Sequence, residues 1–149
     1  MDFVSKISRV WLFLGVLLLA VGGMIYVLFR STGLLFFIVL DHADLMRPVD
    51  SLRSSVARAA APDFVVYSLP SLLWSLSYIM LVQHLYGQES LRTRMRWASV
   101  IPLAGVASEL MQLLAWLPGT FDVRDLLCYS IPLVVYYVIS RFTIKNNRA

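Results

Sequence analysis

Long uncharged apolar runs alternate with short charged segments along this chain, and the runs have the length of membrane crossings. Between Arg9 and Arg30 lie 20 residues without a charge, Val10 to Phe29. At ~1.5 Å per residue they reach ~30 Å, enough for one crossing. The second run, Phe64 to Gln88, has 25 residues with no Asp, Glu, Lys or Arg. The third extends from Trp97 to Pro118 and contains Glu109. The fourth begins near Asp125 and is uncharged from Leu126 to Ser140, with Arg141 placed to snorkel and extend it. The pattern predicts an all-α polytopic membrane protein. Its four transmembrane helices, over about 10–29, 64–86, 97–117 and 124–142, pair as two hairpins. Ser31 to Leu40 is also apolar, but ten helical residues cover only ~15 Å, so this piece reads as a short interfacial or re-entrant helix. Asp41 to Pro62 mixes three Asp and three Arg and reads as an outer loop, residues 41–62, with room for a surface helix. Met24-Ile25-Tyr26-Val27 offers no small-residue cleavage site, so the first span is expected to stay attached.

Composition narrows the class further. Of 149 residues, 59% are hydrophobic and 15% charged, against about 45–50% and about 25% in a soluble domain. Together with a mean hydropathy of +0.74, this excludes disorder, a coiled coil and an ordinary soluble domain. The four spans fill the length, so residues 1–149 read as a single membrane domain. One cysteine, Cys128, excludes an intrachain disulfide and a cysteine metal cluster. A pI near 9.5 would suit nucleic acid, but the basic residues flank apolar runs, where they act as topology signals. With both termini cytoplasmic, the inner side carries Lys6, Arg9, Arg92, Arg94, Arg96, Arg141, Lys145 and Arg148, against five arginines outside. Asp41, Asp44, Asp50, Asp63, Glu109, Asp122 and Asp125 fall on or near the outer side. Their segregation points to a polar outer mouth.

The second and fourth spans open alike. Asp63-Phe-Val-Val-Tyr67-Ser68-Leu69-Pro70 matches Asp125-Leu-Leu-Cys-Tyr129-Ser130-Ile131-Pro132 at four of eight positions, and Trp74 and Tyr136 continue the register. Positions 0, 4, 7 and 11 share one helical face. Duplication of a two-helix hairpin about an axis along the membrane normal would produce this. So would the independent use of Asp as a helix cap and Pro in membrane helices.

Glu109 is the most informative residue, because a carboxylate within a span is costly and usually faces the bundle interior. Gly105, Ser108, Gln112 and Trp116 share its face. Glu109 and Gln112 read either as interhelical glue or as a ligand or proton site. Pro118-Gly119 is expected to end the third span, with Asp122 as N-cap of the fourth and Asp125 in its first turn. The short connection makes these helices antiparallel neighbours, so Glu109, Gln112, Asp122, Arg124, Asp125 and Tyr129 are expected to form one outward-opening cluster. Asp63 and Tyr67 join it from the second span. Four carboxylates repel one another, so Arg124 is expected to pair with one of them.

Glu109-x-x-Gln112, then Pro118-Gly119, then Phe121-Asp122-x-x-Asp125 resembles the VanZ-like family of small bacterial membrane proteins. The family's founding members are associated with resistance to the glycopeptide teicoplanin. Thr120 stands where the family carries Arg, Tyr129 and Pro132 replace its Asn and Gly, and its Asp-Lys-x-x-His is reduced to Asp63. The resemblance implies a multi-pass protein of the bacterial cytoplasmic membrane and cell envelope. No hydrolase, zinc-protease or nucleotide-binding motif is present. His42 and His84 lie at opposite ends of the molecule in this topology and cannot share a metal, so neither metal nor cofactor is expected. The reading is a non-enzymatic protein that binds a lipid, a lipid-linked molecule or an integral membrane partner, and no nucleic acid, through the outer cleft. Two alternatives stay open. One is an intramembrane enzyme on a lipid-linked substrate, with Glu109 or Asp125 as acid or base. The other is a purely structural subunit.

Overall fold

A computed structural model describes residues 2–30, 32, 35–56, 61–117 and 120–146. The fold is all-α, with no strand among the described residues. Its helices are α1 (Asp2–Phe29), α2 (Leu35–His42), α3 (Met46–Val56), α4 (Asp63–Tyr67), α5 (Leu69–Tyr86), α6 (Leu91–Ala98), α7 (Val100–Leu113) and α8 (Val123–Asn146). Two of them are long and apolar enough to cross a membrane, over Ser8–Phe29 in α1 and Val123–Thr143 in α8.

The middle two apolar runs are each divided, where unbroken helices are expected at 64–86 and 97–117. Proline is the reason. Pro70 and Pro102 have no N–H for the carbonyl four residues back, so the helix loosens just ahead of each ring. Ser68 and Ser99, at the two breaks, keep right-handed helical dihedrals. Hydrogen bonds continue through both, from Ser68 N–H to Phe64 C=O at 3.0 Å and from Leu103 N–H to Ser99 C=O at 2.9 Å. These are bends rather than turns. Pro132 lies inside α8 without dividing it.

α7 also ends early, at Leu113 rather than at 117. Ala115 adopts a left-handed conformation, φ 56°. Trp116 N–H then bonds Met111 C=O at 2.8 Å and Ala115 N–H bonds Gln112 C=O at 3.0 Å. This is a Schellman stop, placed ahead of the Pro118-Gly119 stop expected from the sequence, which lies outside the described residues. Trp116 therefore leaves the Glu109 face and is 72% exposed.

α1 runs antiparallel to α5. Ser77 Oγ donates to Gly15 C=O at 2.7 Å, Gly22 lies against the Trp74 indole, and His84 Nδ1 meets Ser8 Oγ at 2.8 Å. α5 and α8 run parallel, tied by Ser75 Oγ to Tyr129 C=O at 3.2 Å and Tyr136 OH to Gln83 Oε1 at 2.7 Å. α7 returns antiparallel along α8, so the bundle is layered α1, α5, α8, α7. One end gathers Arg30, Glu109, Asp122 and Asp125; we call it the acidic end. The opposite, basic end carries Arg92, Arg94, Arg96 and Arg141, with α6 folded across it by a Tyr86–Trp97 stack at 5.6 Å. The expected interfacial or re-entrant piece is α2, whose Phe37 is buried and stacks on Tyr26 at 6.1 Å; Ser31, Gly33 and Leu34 lie outside the described residues. The 41–62 loop contains α3. Arg53 on α3 donates to Val27 C=O at 2.6 Å and to Arg30 C=O at 2.8 Å, satisfying carbonyls left open where α1 ends.

Burial is inverted relative to a water-soluble bundle. Ser68, Ser71, Ser75, Ser77, Glu109 and Asp125 are buried, while Phe13, Met24, Val134, Ile139 and Phe142 are exposed. Small hydroxyl side chains let backbones approach closely and bond across helices.

Candidate functional site

The acidic end is assembled from three helix termini. Asp122 caps α8: its Oδ1 accepts from Arg124 N–H at 2.8 Å, and its carbonyl accepts from Leu126 N–H at 3.2 Å. A cap residue's own N–H needs an acceptor. In a capping box that acceptor is a Glu or Gln three residues on. Here it comes from another helix, because Glu109 on α7 reaches across and its Oε2 accepts from Asp122 N–H at 3.2 Å. Glu109 is only 5% exposed.

One turn into α8, Asp125 is 8% exposed, and its Oδ1 is buried with no hydrogen-bond partner. Ser68, at the α4–α5 bend, stands within interaction range of its carboxylate, and Ser71 stands in the same relation to Tyr129. The Tyr129 ring lies flat against α7 at Gly105, where a Cβ would fall 2.5 Å from ring carbons. Gly105 is therefore the opening that admits the tyrosine between the helices.

The cation facing these groups is Arg30, at the end of α1. Its charge acts on Glu109, Asp125 and Tyr129 alike. Its guanidinium stands 5.8 Å from the Tyr26 ring centre and 5.1 Å from that of Tyr67, within cation–π range. Its Nε is buried and has no hydrogen-bond partner. Buried polar atoms are nearly always paired. Two opposite-signed orphans at one end of a bundle, Asp125 Oδ1 and Arg30 Nε, mark a place where an incoming polar group finds both kinds of partner.

The residues expected at the site divide into two sets. Glu109, Asp122, Asp125 and Tyr129 come together. Tyr67 belongs to the same end, but it is half-exposed and meets Arg30 rather than the carboxylates. Asp63 is exposed in the first turn of α4 and takes no part in the buried set. It sits at the outer start of its helix, whereas Asp125 is one turn inside α8, beyond the Asp122 cap. Arg124 is exposed and contributes its backbone N–H, and the expected pairing of its side chain with a carboxylate is not seen among the described residues; the cation whose charge acts on the carboxylates is Arg30. Gln112 is half-buried; its carbonyl serves the α7 stop, and no side-chain bond from it to the cluster is seen among the described residues.

Arg30, Ser68 and Ser71 were not expected here. An arginine at the end of an apolar run reads first as a topology signal. Its position at the same level as Asp63 and Asp125 was the available clue. Ser130, the repeat partner of Ser68, bonds Leu126 C=O at 2.8 Å as a local helix bond, so one motif serves two ends.

No group of three or more His, Cys, Asp or Glu side chains placed to hold a metal ion occurs among the described residues. The arrangement offers two buried carboxylates, a phenol, hydroxyls and one guanidinium. That set can bind a polar head carrying both donors and acceptors, or pass a proton. Among protein-family models, curated proteins and solved structures, none matches this chain.

Proposed function

We propose that the chain is a four-crossing protein of the bacterial cytoplasmic membrane, a divergent relative of the VanZ-like family. In this reading both termini are cytoplasmic, and the acidic end binds a lipid, a lipid-linked molecule or an integral partner from the outer leaflet side. The inverted burial supports the membrane placement, since the apolar exterior of α1 and α8 needs a non-aqueous surround. The bend at Ser68 supports a crossing by Asp63–Tyr86, which keeps its helical hydrogen bonds through the break and spans more than ~30 Å when taken whole. With α6 folded across the basic end, α7 covers ~21 Å and is the short crossing of the four. Cysteines placed at Ser54 and at Gln88, in a Cys128→Ala background, test the orientation. An impermeant reagent applied to intact cells should label the first only, and labelling of Gln88→Cys overturns the topology.

The binding reading is carried by two unpartnered buried atoms at one end of the bundle, Asp125 Oδ1 and Arg30 Nε. A purely structural polar cluster would be selected to close its own hydrogen bonds, because an orphan in this setting costs about 1–3 kcal/mol. Glu109→Gln is the discriminating variant. Its amide oxygen can still accept from Asp122 N–H, so the fold is retained while the charge is lost. Lipids that co-purify with the wild-type protein are identified by mass spectrometry and compared with those of the variant. A carboxylate-dependent binder loses its ligand. Interhelical glue tolerates the change with the same lipids retained, and an intramembrane enzyme retains the ligand but accumulates it unreacted.

A further inference from the structure

The basic end contains a second, separate site. A cleft of about 380 Å3 opens between α5, α6 and α8, beside α1. Its walls are apolar and include Trp11, Leu76, Met80, Val135 and Ile139. Its polar pole consists of Gln83, Arg94, Tyr136 and Ser140. The volume lies within the range of small-ligand pockets.

The bonding at that pole is one-sided. Gln83 Oε1 accepts from Tyr136 OH at 2.7 Å and from Arg94 Nη1 at 3.3 Å. A guanidinium has five donors, and the partners seen for this one, the Gln83 amide oxygen and the Tyr136 phenol, are both neutral. Arg94 Nε is buried with no partner. Among the described residues no carboxylate pairs with Arg94, and Glu89, close by in sequence, is fully out on the surface turn. Arg30 at the other end has Glu109 and Asp125 to face. Arg94 has no such counter-charge among the described residues, and a half-buried guanidinium whose Nε is shut off from solvent gains from an anion.

The missing group is therefore an anion, and the walls say what kind. A small soluble anion would satisfy Arg94 but leave the apolar length of the cleft uncovered. A molecule with an anionic head and an apolar tail covers both. The same end exposes Arg92, Arg96 and Arg141 around an adjoining shallow groove, which favours a head with net negative charge over a zwitterionic one.

We propose that this cleft holds one anionic phospholipid, its phosphodiester on Arg94 and an acyl chain lying along α5 and α8. The proposal rests on the membrane placement but not on any ligand at the acidic end.

Trp11 in the cleft wall reports occupancy. In a Trp74→Phe, Trp97→Phe, Trp116→Phe background, Trp11 fluorescence is titrated with chain-brominated phosphatidylglycerol or phosphatidylcholine in mixed micelles. Phosphatidylglycerol should quench at roughly fivefold lower mole fraction. Arg94→Gln should erase that preference, while Arg47→Gln, on the exposed surface of α3, should leave it intact. Val135→Phe narrows the cleft without touching charge, and should weaken quenching by both lipids. Native mass spectrometry of the unaltered chain supplies a readout that needs no variant: from equal mixtures, one phosphatidylglycerol should remain bound. Equal quenching by the two lipids, or a preference that survives Arg94→Gln, overturns the proposal and leaves the membrane reading standing. Displacement of the lipid by millimolar inorganic phosphate would assign the pole to a soluble anion instead, and also overturns it. Absence of quenching by both lipids shows an unoccupied cleft and overturns the proposal, while the labelling of Ser54→Cys and Gln88→Cys decides the membrane reading separately.

Discussion

The two ends of the bundle each hold a half-buried arginine with a buried Nε, and they treat it in opposite ways. Arg30 at the acidic end faces Glu109 and Asp125 and lies against two aromatic rings. Arg94 at the basic end faces a glutamine and a tyrosine, both neutral. The first end holds its charges within the protein and has more acid than base. The second has more base than acid, and its nearest acid in sequence, Glu89, is exposed on the turn before α6. A bundle built only to stand would have distributed these charges to cancel. Keeping them apart leaves one end suited to a head group with donors and the other to an anion. The contrast is also what a thermodynamic experiment can separate, because removing Arg30 strands carboxylates while removing Arg94 strands nothing.

The largest expected effect follows from that asymmetry. Arg30→Leu removes the cation whose charge acts on Glu109 and Asp125, together with its two ring contacts, and, since no ion pair is broken among the described residues, should cost about 2 kcal/mol. Arg94→Leu should cost less than about 1 kcal/mol or stabilise the protein, since it removes a cation that has no internal counter-charge. Thermal unfolding of purified protein in one detergent measures both. Adding Asp125→Asn to Arg30→Leu should recover part of the loss, and the double-mutant cycle then reads the coupling directly. Equal losses at Arg30 and Arg94 would sink the comparison, because they would mean that packing rather than charge dominates both.

A second test concerns shape at the acidic end. Gly105→Ala places a methyl group 2.5 Å from the Tyr129 ring, and overpacking of this kind costs about 1–3 kcal/mol. Gly23→Ala, on α1, meets nothing within 4 Å and should be neutral or slightly stabilising. The pair separates loss of glycine from loss of the Tyr129 seat. If Gly105→Ala also releases the lipid that Glu109→Gln releases, the tyrosine belongs to the binding surface.

At the basic end, Tyr136→Phe removes one hydrogen bond to Gln83 and should cost about 1 kcal/mol. It also frees Gln83 Oε1 for Arg94 alone, so phosphatidylglycerol binding should weaken modestly. Arg94→Gln should weaken it more.

How far these ends were legible in the sequence depended on the range of each interaction. The helical runs were legible because apolar length is a property of one segment. Glu109 beside the start of α8 was legible because only a short connection separates them. The bends at Ser68 and Ser99 follow from Pro70 and Pro102, but nothing local distinguishes a proline that divides a helix from Pro132, which α8 absorbs. Packing against neighbours decides that. Arg30 and Arg94 were legible only as charges at the ends of runs, since their roles depend on helices far away in sequence. The same holds for Asp63 and Asp125. Their local sequences match, yet one is exposed and the other buried, because only α8 has a Glu109 opposite its first turn.

The smallest expected effect is at the stop that positions Glu109. Ala115 holds φ 56°, a conformation that costs a residue with a Cβ about 1 kcal/mol or more. Asp44 holds φ 55° at the equivalent stop of α2, where Leu45 N–H bonds Leu40 C=O at 2.9 Å. Aspartate tolerates this region better than alanine, because its short polar side chain can bond locally. Glycine relieves the strain but brings more unfolded-state freedom, which offsets part of the gain. Ala115→Gly should therefore stabilise the protein by about 0.5 kcal/mol, and Asp44→Gly by less. Because the Schellman bonds are unchanged, the distance from Glu109 to Asp122 should not move, and lipid retention at the acidic end should match that of the wild type. A loss of retention with a gain in stability would show that the strained stop tunes the site. That outcome would extend the difference between the two ends from charge to backbone.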